Sequence, residues 1–391
     1  MPWSLMVMGT GEKKPYIPLR RNMAKEFGMR KVFSSESITE GHPDKVADRI
    51  SDSILDAYVS SDPQSRVAAE CCVYTNHVSL FGEVTSKAEI DADAIIRKAI
   101  RDIGYDKAEY GFSSDSVDIE VALRTQSPDI AMGLDHVDLD GGAGDQGILF
   151  GYAEKDGIEY MPLPISYAHR LTRKLTEVRK NGVIPYLRPD GKSQVSVEYD
   201  ENGRATRITS VVLSSSHDDD VSIETLRKDL LEKVILPSLP EELIDEKTEF
   251  FINPTGRFVL CGPNADSGLT GRKLICDTYG GYSRHGGGAF SGKDSSKTDR
   301  TGAYAARFLA KNIVAAGLSD RCEVEIAYAI GVAKPVGLFI ETFGTEHVPM
   351  EEIYEKVNKV DLRPNALIER FGLRSPILSH GIALAFSPKW P

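Results

Sequence analysis

The sequence predicts an α+β protein in which strands and helices repeat in three comparable blocks. Three observations predict it. Short alternating runs pair off around turn signals, as in QVSVEYDENGRATRITSVVLSSS (194–216). Longer stretches with a helical apolar stripe separate those runs. The strand-and-helix order recurs along the chain without a repeat of sequence.

Residues 1–30 show no period and hold candidate start methionines at Met6, Met8, Met23 and Met29, so they are expected as a leader. From Pro43 to Val59 the pattern turns helical: Val46, Ile50, Ile54 and Ala57 form one stripe, and Pro43 suits a first helical turn. RVAAECCVYTNHVSLFGEVT (66–85) reads as two strands around Thr75-Asn76-His77, and 89–103 as a helix. Residues 126–146, rich in Asp and Gly, read as a long loop. ILFGYA (148–153) is strand-like, and SYAHRLTRKLTEVRKNG (166–182) is a helix ending at Gly182. After the 194–216 hairpin with its Glu201-Asn202-Gly203 turn comes a helix over 221–236. FFINPTGRFV and KLICDTYG read as strands, and 296–316 as a helix. Strands EVEIAYAIG and GLFIETFG and a helix at 350–359 follow.

The 391 residues leave room for two or three domains, and 41% apolar with 27% charged residues is an ordinary globular balance. A net charge of −11 argues against a general nucleic-acid or acidic-membrane binder, though not against a small anion held by local positive charge. The five cysteines form no C-x-x-C spacing, which points to a reducing compartment. The start, MPWSLMVMGTGEKK, lacks the basic residue of a signal peptide, and no 18-residue apolar run occurs. A cytoplasmic location, without membrane or nucleic-acid partners, is the expectation.

Two motifs mislead. Gly142-Ala143-Gly144-Asp145-Gln146-Gly147 matches G-x-G-x-x-G, but a polar loop precedes it and a strand-like run follows, the reverse of a dinucleotide site. It reads as a flexible turn, or as a turn that aims Asp145 into a cleft. GGGAFSGKDSSKTDRTG (286–302) nearly spells a P-loop, yet Asp294 stands where Ser or Thr should bind Mg²⁺, and no strand leads tightly into it. It still sets Lys293 and Lys297 in a glycine loop at a helix N-terminus, a good place for an anion. From Arg272 to Arg300 six Lys or Arg face three Asp, which fits a polyphosphate better than a solvated face.

Ordinary roles stand beside these. Ser296-Lys297-Thr298-Asp299 spells a capping box, so Asp299 has a helix-capping role open to it. Asp44, Asp48, Asp52 and Asp56 fall at i, i+4 spacing, where like charges repel. A solvated face is the ordinary reading, and a cation near Asp44 the sharper one. His42 reads equally as a surface residue in a turn.

FSSESITEGHPDKVADRISDSILD (33–56) closely resembles the N-terminal signature of the S-adenosylmethionine synthetases, the methionine adenosyltransferases. GAGDQGILFGYA resembles that family's second signature and GGGAFSGKDSSKTDR its third, with QSPDI, YAHRL, LRPDGKSQV, FFINPTGRF and DTYGGYSRHGGGAF in order between and around them. The resemblance covers about residues 31–375. It departs at the leader and at the end, RSPILSHGIALAFSPKWP, which lacks the family's aromatic Tyr-Gly-His-Phe run.

The resemblance implies three similar α/β domains with mixed sheets in a pseudo-threefold arrangement, at 31–129, 141–259 and 260–391, with a mobile loop at 130–140. It implies that methionine sulfur attacks C5′ of ATP, and that the tripolyphosphate leaves and is hydrolysed to pyrophosphate and phosphate. By the family pattern His42 lies near the ribose and leaving oxygen, and Lys192, Arg272, Lys273, Lys293 and Lys297 are the phosphate-side cations. Asp44 and Asp299 answer to Mg²⁺ ligands, two ions per site, and Glu70 to a K⁺ site. Glu83, Gln126, Asp145 and Asp266 fall on the methionine side with Lys297. Arg257 and Phe258 contact adenine, with Asp190 and Ala289 nearby and Asp266 shared with ATP. The family assembles as a homodimer with shared sites, often as a dimer of dimers. Two rivals make different demands: a Mg-ATP-dependent phosphotransferase needs no methionine, and an ATP-sensing module shows no turnover.

Overall fold

The computed structural model describes residues 31–125 and 142–379. Strand β1 (Lys31–Ile38) leads into helix α1 (Pro43–Ser61), then β2 (Arg66–Tyr74), β3 (His77–Thr85), α2 (Ala92–Ile103) and β4 (Asp118–Arg124). Next come β5 (Gly147–Glu154), α3 (Leu163–Lys180), β6 (Leu187–Tyr199), β7 (Ala205–His217), α4 (Ile223–Leu230) and β8 (Glu249–Ile252). The last part holds β9 (Gly268–Leu269), α5 (Leu274–Asp277), α6 (Thr298–Ala315), β10 (Arg321–Tyr328), β11 (Gly337–Glu341), α7 (Met350–Val357) and α8 (Pro364–Phe371).

The described strands form three mixed or antiparallel sheets, ordered β4-β3-β2-β9, β1-β6-β7-β8 and β11-β10-β5. Each has its own apolar core under helices: α1 and α2 on the first, α3 and α4 on the second, α6, α7 and α8 on the third. The α+β class with three comparable units is therefore observed. The sheets exchange strands: β1 lies antiparallel to β6, β5 to β10, and β9 to β2. Each sheet thus takes one strand from a distant stretch of chain.

Local chemistry explains most elements. The β2–β3 hairpin turns at Thr75-Asn76, and Asn76 adopts φ 56, a left-handed value that Asn tolerates. The α1 stripe seals onto β2 with Val46, Ile50 and Ile54 fully buried.

Two expected strands differ. KLICDTYG is instead the single helical turn of α5, with Asp277 N–H donating to Lys273 O at 2.9 Å. Cys276 to Gly280 are all buried, and a short apolar run cannot distinguish a strand from a buried turn by period. Of FFINPTGRFV only the start is strand, because Asn253 turns the chain at φ 40 and its Oδ1 accepts Ser215 N–H at 2.9 Å. The leader 1–30, Gln126, the loop 130–140 and the end 380–391 lie outside the described residues.

Candidate active site

Helix α1 organises the site from its polar side. The expected solvated face is wrong: Asp44, Asp48, Asp52 and Asp56 are all buried. A buried carboxylate needs partners, and each finds them far along the chain. Asp44 Oδ1 accepts Leu269 N–H at 3.0 Å, and Asp48 Oδ1 accepts Gly271 N–H at 2.8 Å. Asp52 Oδ1 accepts Gly292 N–H at 2.8 Å, and Asp56 accepts the N–H groups of Leu378 and Ser379. One row of side chains thereby docks the 268–277 segment, the glycine loop and residues 378–379 onto a single helix.

A first group forms at the α1 N-terminus. His42 caps the helix, its Nδ1 accepting Asp44 N–H at 3.2 Å. That bond leaves the proton on Nε2, the free edge of the ring. Burial and then the Lys273 ammonium lower the His42 pKa to about 4, against the pull of Asp44, so the ring is neutral at pH 7. Lys192 and Asp266 also act on this ring. Lys273 donates to Asp44 Oδ2, and Arg272 Nε stands 3.6 Å from Oδ1. Burial works to raise the Asp44 carboxyl, but Lys273 and the Leu269 N–H outweigh it and hold the pKa below the usual value.

Asp190 sits where the β6–β7 register shifts between Leu187 and Gly191. Its Oδ2 accepts Gly262 N–H at 2.9 Å, and burial raises its pKa to about 6 against that bond. Phe258 lies at the same end of β7: its N–H donates to His217 Nε2 at 3.1 Å, and its carbonyl accepts His217 N–H. Arg257 points away to Asp219 at 2.7 Å and is well exposed.

A second group surrounds the glycine loop. Lys293 Nζ lies 2.5 Å from Asp299 Oδ2, and Lys297 Nζ lies 2.7 Å from Asp294 Oδ2. Asp294 also accepts the N–H groups of Val67 and Ser296. The capping box is not formed: Lys297 is the N-cap of α6 and gives it no side-chain bond, while Asp294 holds Ser296 instead. No described strand leads directly into the loop, since β9 ends at Leu269, so the P-loop match has no structural basis. A Cβ on Gly271 would stand 2.6 Å from the Ala289 Cβ, so the segment bearing Arg272 and Lys273 touches this loop. Asp145 lies exposed before β5, and a Cβ on the nearby Gly147 would stand 3.8 Å from Asp299 Oδ1.

Lys293 and Ala68 form a β-bridge, which joins this group to the outer face of the first sheet. There Ala68 pairs with Glu83, Glu70 with Phe81, and Glu83 with Arg124. Ala68, Glu70, Phe81, Glu83 and Arg124 line a cleft of about 390 Å³, so the two expected carboxylates of this strand pair share one face. A larger cleft of about 680 Å³, lined by Lys334, Asn358 and Arg363, holds none of the expected residues.

Profiles of the S-adenosylmethionine synthetase N-terminal, central and C-terminal domains match residues 30–128, 140–258 and 260–386. The S-adenosylmethionine synthase of Clostridium botulinum (strain Alaska E43 / Type E3) is 54% identical over 366 residues, covering 91% of this chain and 93% of that protein. That of Clostridium tetani (strain Massachusetts / E88) is 55% identical over 360 residues, covering 89% and 92%. The chain belongs to the S-adenosylmethionine synthetase family.

Its enzyme class is therefore methionine adenosyltransferase. Among the described residues no cluster of three or more His, Cys, Asp or Glu could hold a metal ion. Gly288 packs directly against Asp299: a Cβ there would stand only 2.3 Å from its Oδ1, so the glycine lets the loop approach this carboxylate. Asp44 is engaged by Leu269 and Lys273, which leaves lone pairs on both oxygens.

Sequence reasoning missed the residues beneath this synthetase site. Lys45 pairs with Asp48 at 3.0 Å and also with Asp277, tying α1 to α5. Arg300, 1% exposed, makes a two-pronged bond to Asp52. The i, i+4 aspartates were the available signal, but spacing does not tell a solvated row from a buried one.

Proposed function

We propose that this chain forms S-adenosylmethionine by attack of the methionine thioether on C5′ of ATP, and then hydrolyses the released tripolyphosphate to pyrophosphate and phosphate. The observation that carries the reading is the presence of two lysine–carboxylate couples, Lys273 with Asp44 and Lys293 with Asp299. Each joins a phosphate-binding cation to a carboxylate suited to a hard divalent ion. A neutral thioether needs no general base, so rate must come from positioning and from charge placed where the triphosphate departs.

In this reading Nε2–H of neutral His42 donates to the leaving oxygen without adding a charge. Lys192, Arg272 and Lys273 hold one end of the triphosphate, and Lys293 and Lys297 the other. Arg272 and Lys273 both stand against the Asp44 carboxylate, at the helix end that His42 caps. Mg²⁺, when bound at Asp44 and Asp299, supplies further neutralisation of phosphate charge. Glu70 is the proposed K⁺ ligand. Glu83, Gln126, Asp145 and Asp266 are proposed for methionine, and Arg257, Phe258, Asp190 and Ala289 for the adenosine side.

A homodimer with shared sites, extended to a dimer of dimers, completes the reading. The outer sheet faces leave Tyr74, Phe81, Val121, Ile148 and Phe339 exposed, a surface that favours cover. The five cysteines are free, in keeping with the cytosol. No helix among the described residues is long and apolar enough to cross a membrane.

The test is incubation with ATP, Mg²⁺ and K⁺, with and without methionine. S-adenosylmethionine, pyrophosphate and phosphate, all dependent on methionine, are expected. ADP formed without methionine would establish a phosphotransferase instead.

A further inference from the structure

We propose that Asp52 and Arg300 are positioning residues that set Lys293 against Asp299, an inference that rests on the function proposed above. Arg300 Nη1 and Nη2 donate to Asp52 Oδ1 and Oδ2 at 2.8 and 3.1 Å. The same Nη1 donates to Lys293 O at 3.0 Å, while Asp52 Oδ1 also accepts Gly292 N–H at 2.8 Å. The two residues Gly292 and Lys293 are therefore gripped at one end by the carboxylate and at the other by the guanidinium.

Strand β2 closes the grip from outside. Ala69 N–H donates to Gly292 O, and Asp294 N–H donates to Val67 O, each at 3.0 Å. Gly292 adopts φ +77, and a Cβ there would stand 1.8 Å from Ala69 O, so only glycine permits this approach. Arg300 Nε donates to Tyr304 OH at 2.8 Å, which fixes the plane of the guanidinium. Asp299 is the neighbour of Arg300 on α6. One buried ion pair thus locates both members of the Lys293–Asp299 couple.

Stability alone does not account for the arrangement. A buried ion pair is a weak stabiliser compared with apolar packing of the same volume. It supplies something apolar packing cannot: a donor and an acceptor, one for each end of a short loop. Burial works against the Arg300 charge, yet Asp52 outweighs it and raises the pKa above the usual value, so the fork is permanently charged. A lysine at 300 would keep the charge but lose the planar fork.

The experiment measures kcat and KM for hydrolysis of added tripolyphosphate by the full chain. Arg300→Lys and Asp52→Asn are made alone and combined with Lys293→Met, and each is assayed well below its own melting temperature. Misplacing Lys293 by an ångström is expected to lower kcat by about 100-fold. If Arg300 acts through Lys293, the double variant R300K/K293M falls no lower than K293M. Tyr304→Phe fills the same volume and serves if the other variants do not fold; it is expected to lower kcat by about 10-fold, and only when Lys293 is present. Losses that multiply in the double variants, or full activity in Y304F with R300K unfolded, overturn the positioning role. A wild-type chain that turns over neither ATP nor tripolyphosphate overturns the reading on which it rests.

Discussion

Lys293 Nζ lies 2.5 Å from Asp299 Oδ2, although one residue sits in a glycine loop and the other in the first turn of a helix. On the proposed reading, this couple holds together a phosphate-binding cation and a carboxylate suited to Mg²⁺ until triphosphate and metal bind between them.

Asp299→Asn and Asp44→Asn are each expected to lower turnover by about 100-fold or more at saturating Mg²⁺. Asp299 makes no capping bond to α6, so D299N is expected to cost less than about 1 kcal/mol of stability. Asparagine at 44 keeps an oxygen for Leu269 N–H. Turnover near the wild-type rate in either folded variant would remove that residue from the metal site.

Mg²⁺ and tripolyphosphate together are expected to raise the melting temperature, while Mg²⁺ alone does little. On the proposed reading Asp44 and Asp299 would hold the ion together with phosphate oxygens of the substrate. At a hundred times Kd the pair contributes about 2.7 kcal/mol. Equal stabilisation by Mg²⁺ alone, seen in a thermal melt, would require a site made by protein groups only.

Asp190 makes the stability depend on pH. Burial raises its pKa from 3.8 to about 6, so between those values the folded chain binds more protons than the unfolded one. Its contribution is present in full below about pH 3 and is lost as the pH rises from there through 6. Asp190→Asn keeps an oxygen for Gly262 N–H and does not titrate. The variant should therefore gain on the wild type between pH 3 and 7.5, by roughly 3 kcal/mol if the whole shift is expressed. Parallel melting curves across that range would show that Asp190 ionises as an ordinary carboxyl.

Phe81→Glu places a charge on the outer face of the first sheet, between Glu70 and Glu83. Sedimentation is expected to show a smaller species, and activity to fall with it if sites are shared. A variant of unchanged mass and full turnover would mean that this face is not the dimer contact.

The glycine loop shows how much of the site was legible. Lys293 and Lys297 were readable from spacing alone as cations of a glycine loop at a helix N-terminus, where the structure places them. Their true partners were not: the local capping pattern pointed Asp299 at the helix, whereas Asp299 serves Lys293 and Asp294 satisfies the backbone. The 194–216 hairpin and helix α1 were equally readable, because turn residues and apolar periods act within a few positions. The strand expected at KLICDTYG failed because a run this short cannot show whether its period is that of a strand or of a helical turn.

By itself the sequence determined the α+β class and the main helices and hairpins, since each rests on interactions between near neighbours in the chain. Only the tertiary structure decided that β1, β5 and β9 join sheets remote from their own stretches. It alone decided that the α1 aspartates point into protein, toward Leu269, Gly271, Gly292 and Leu378. The physical reason is that a carboxylate row is stable either in water or against buried N–H groups. Which of the two occurs depends on what the rest of the chain brings to that face, more than 200 residues away.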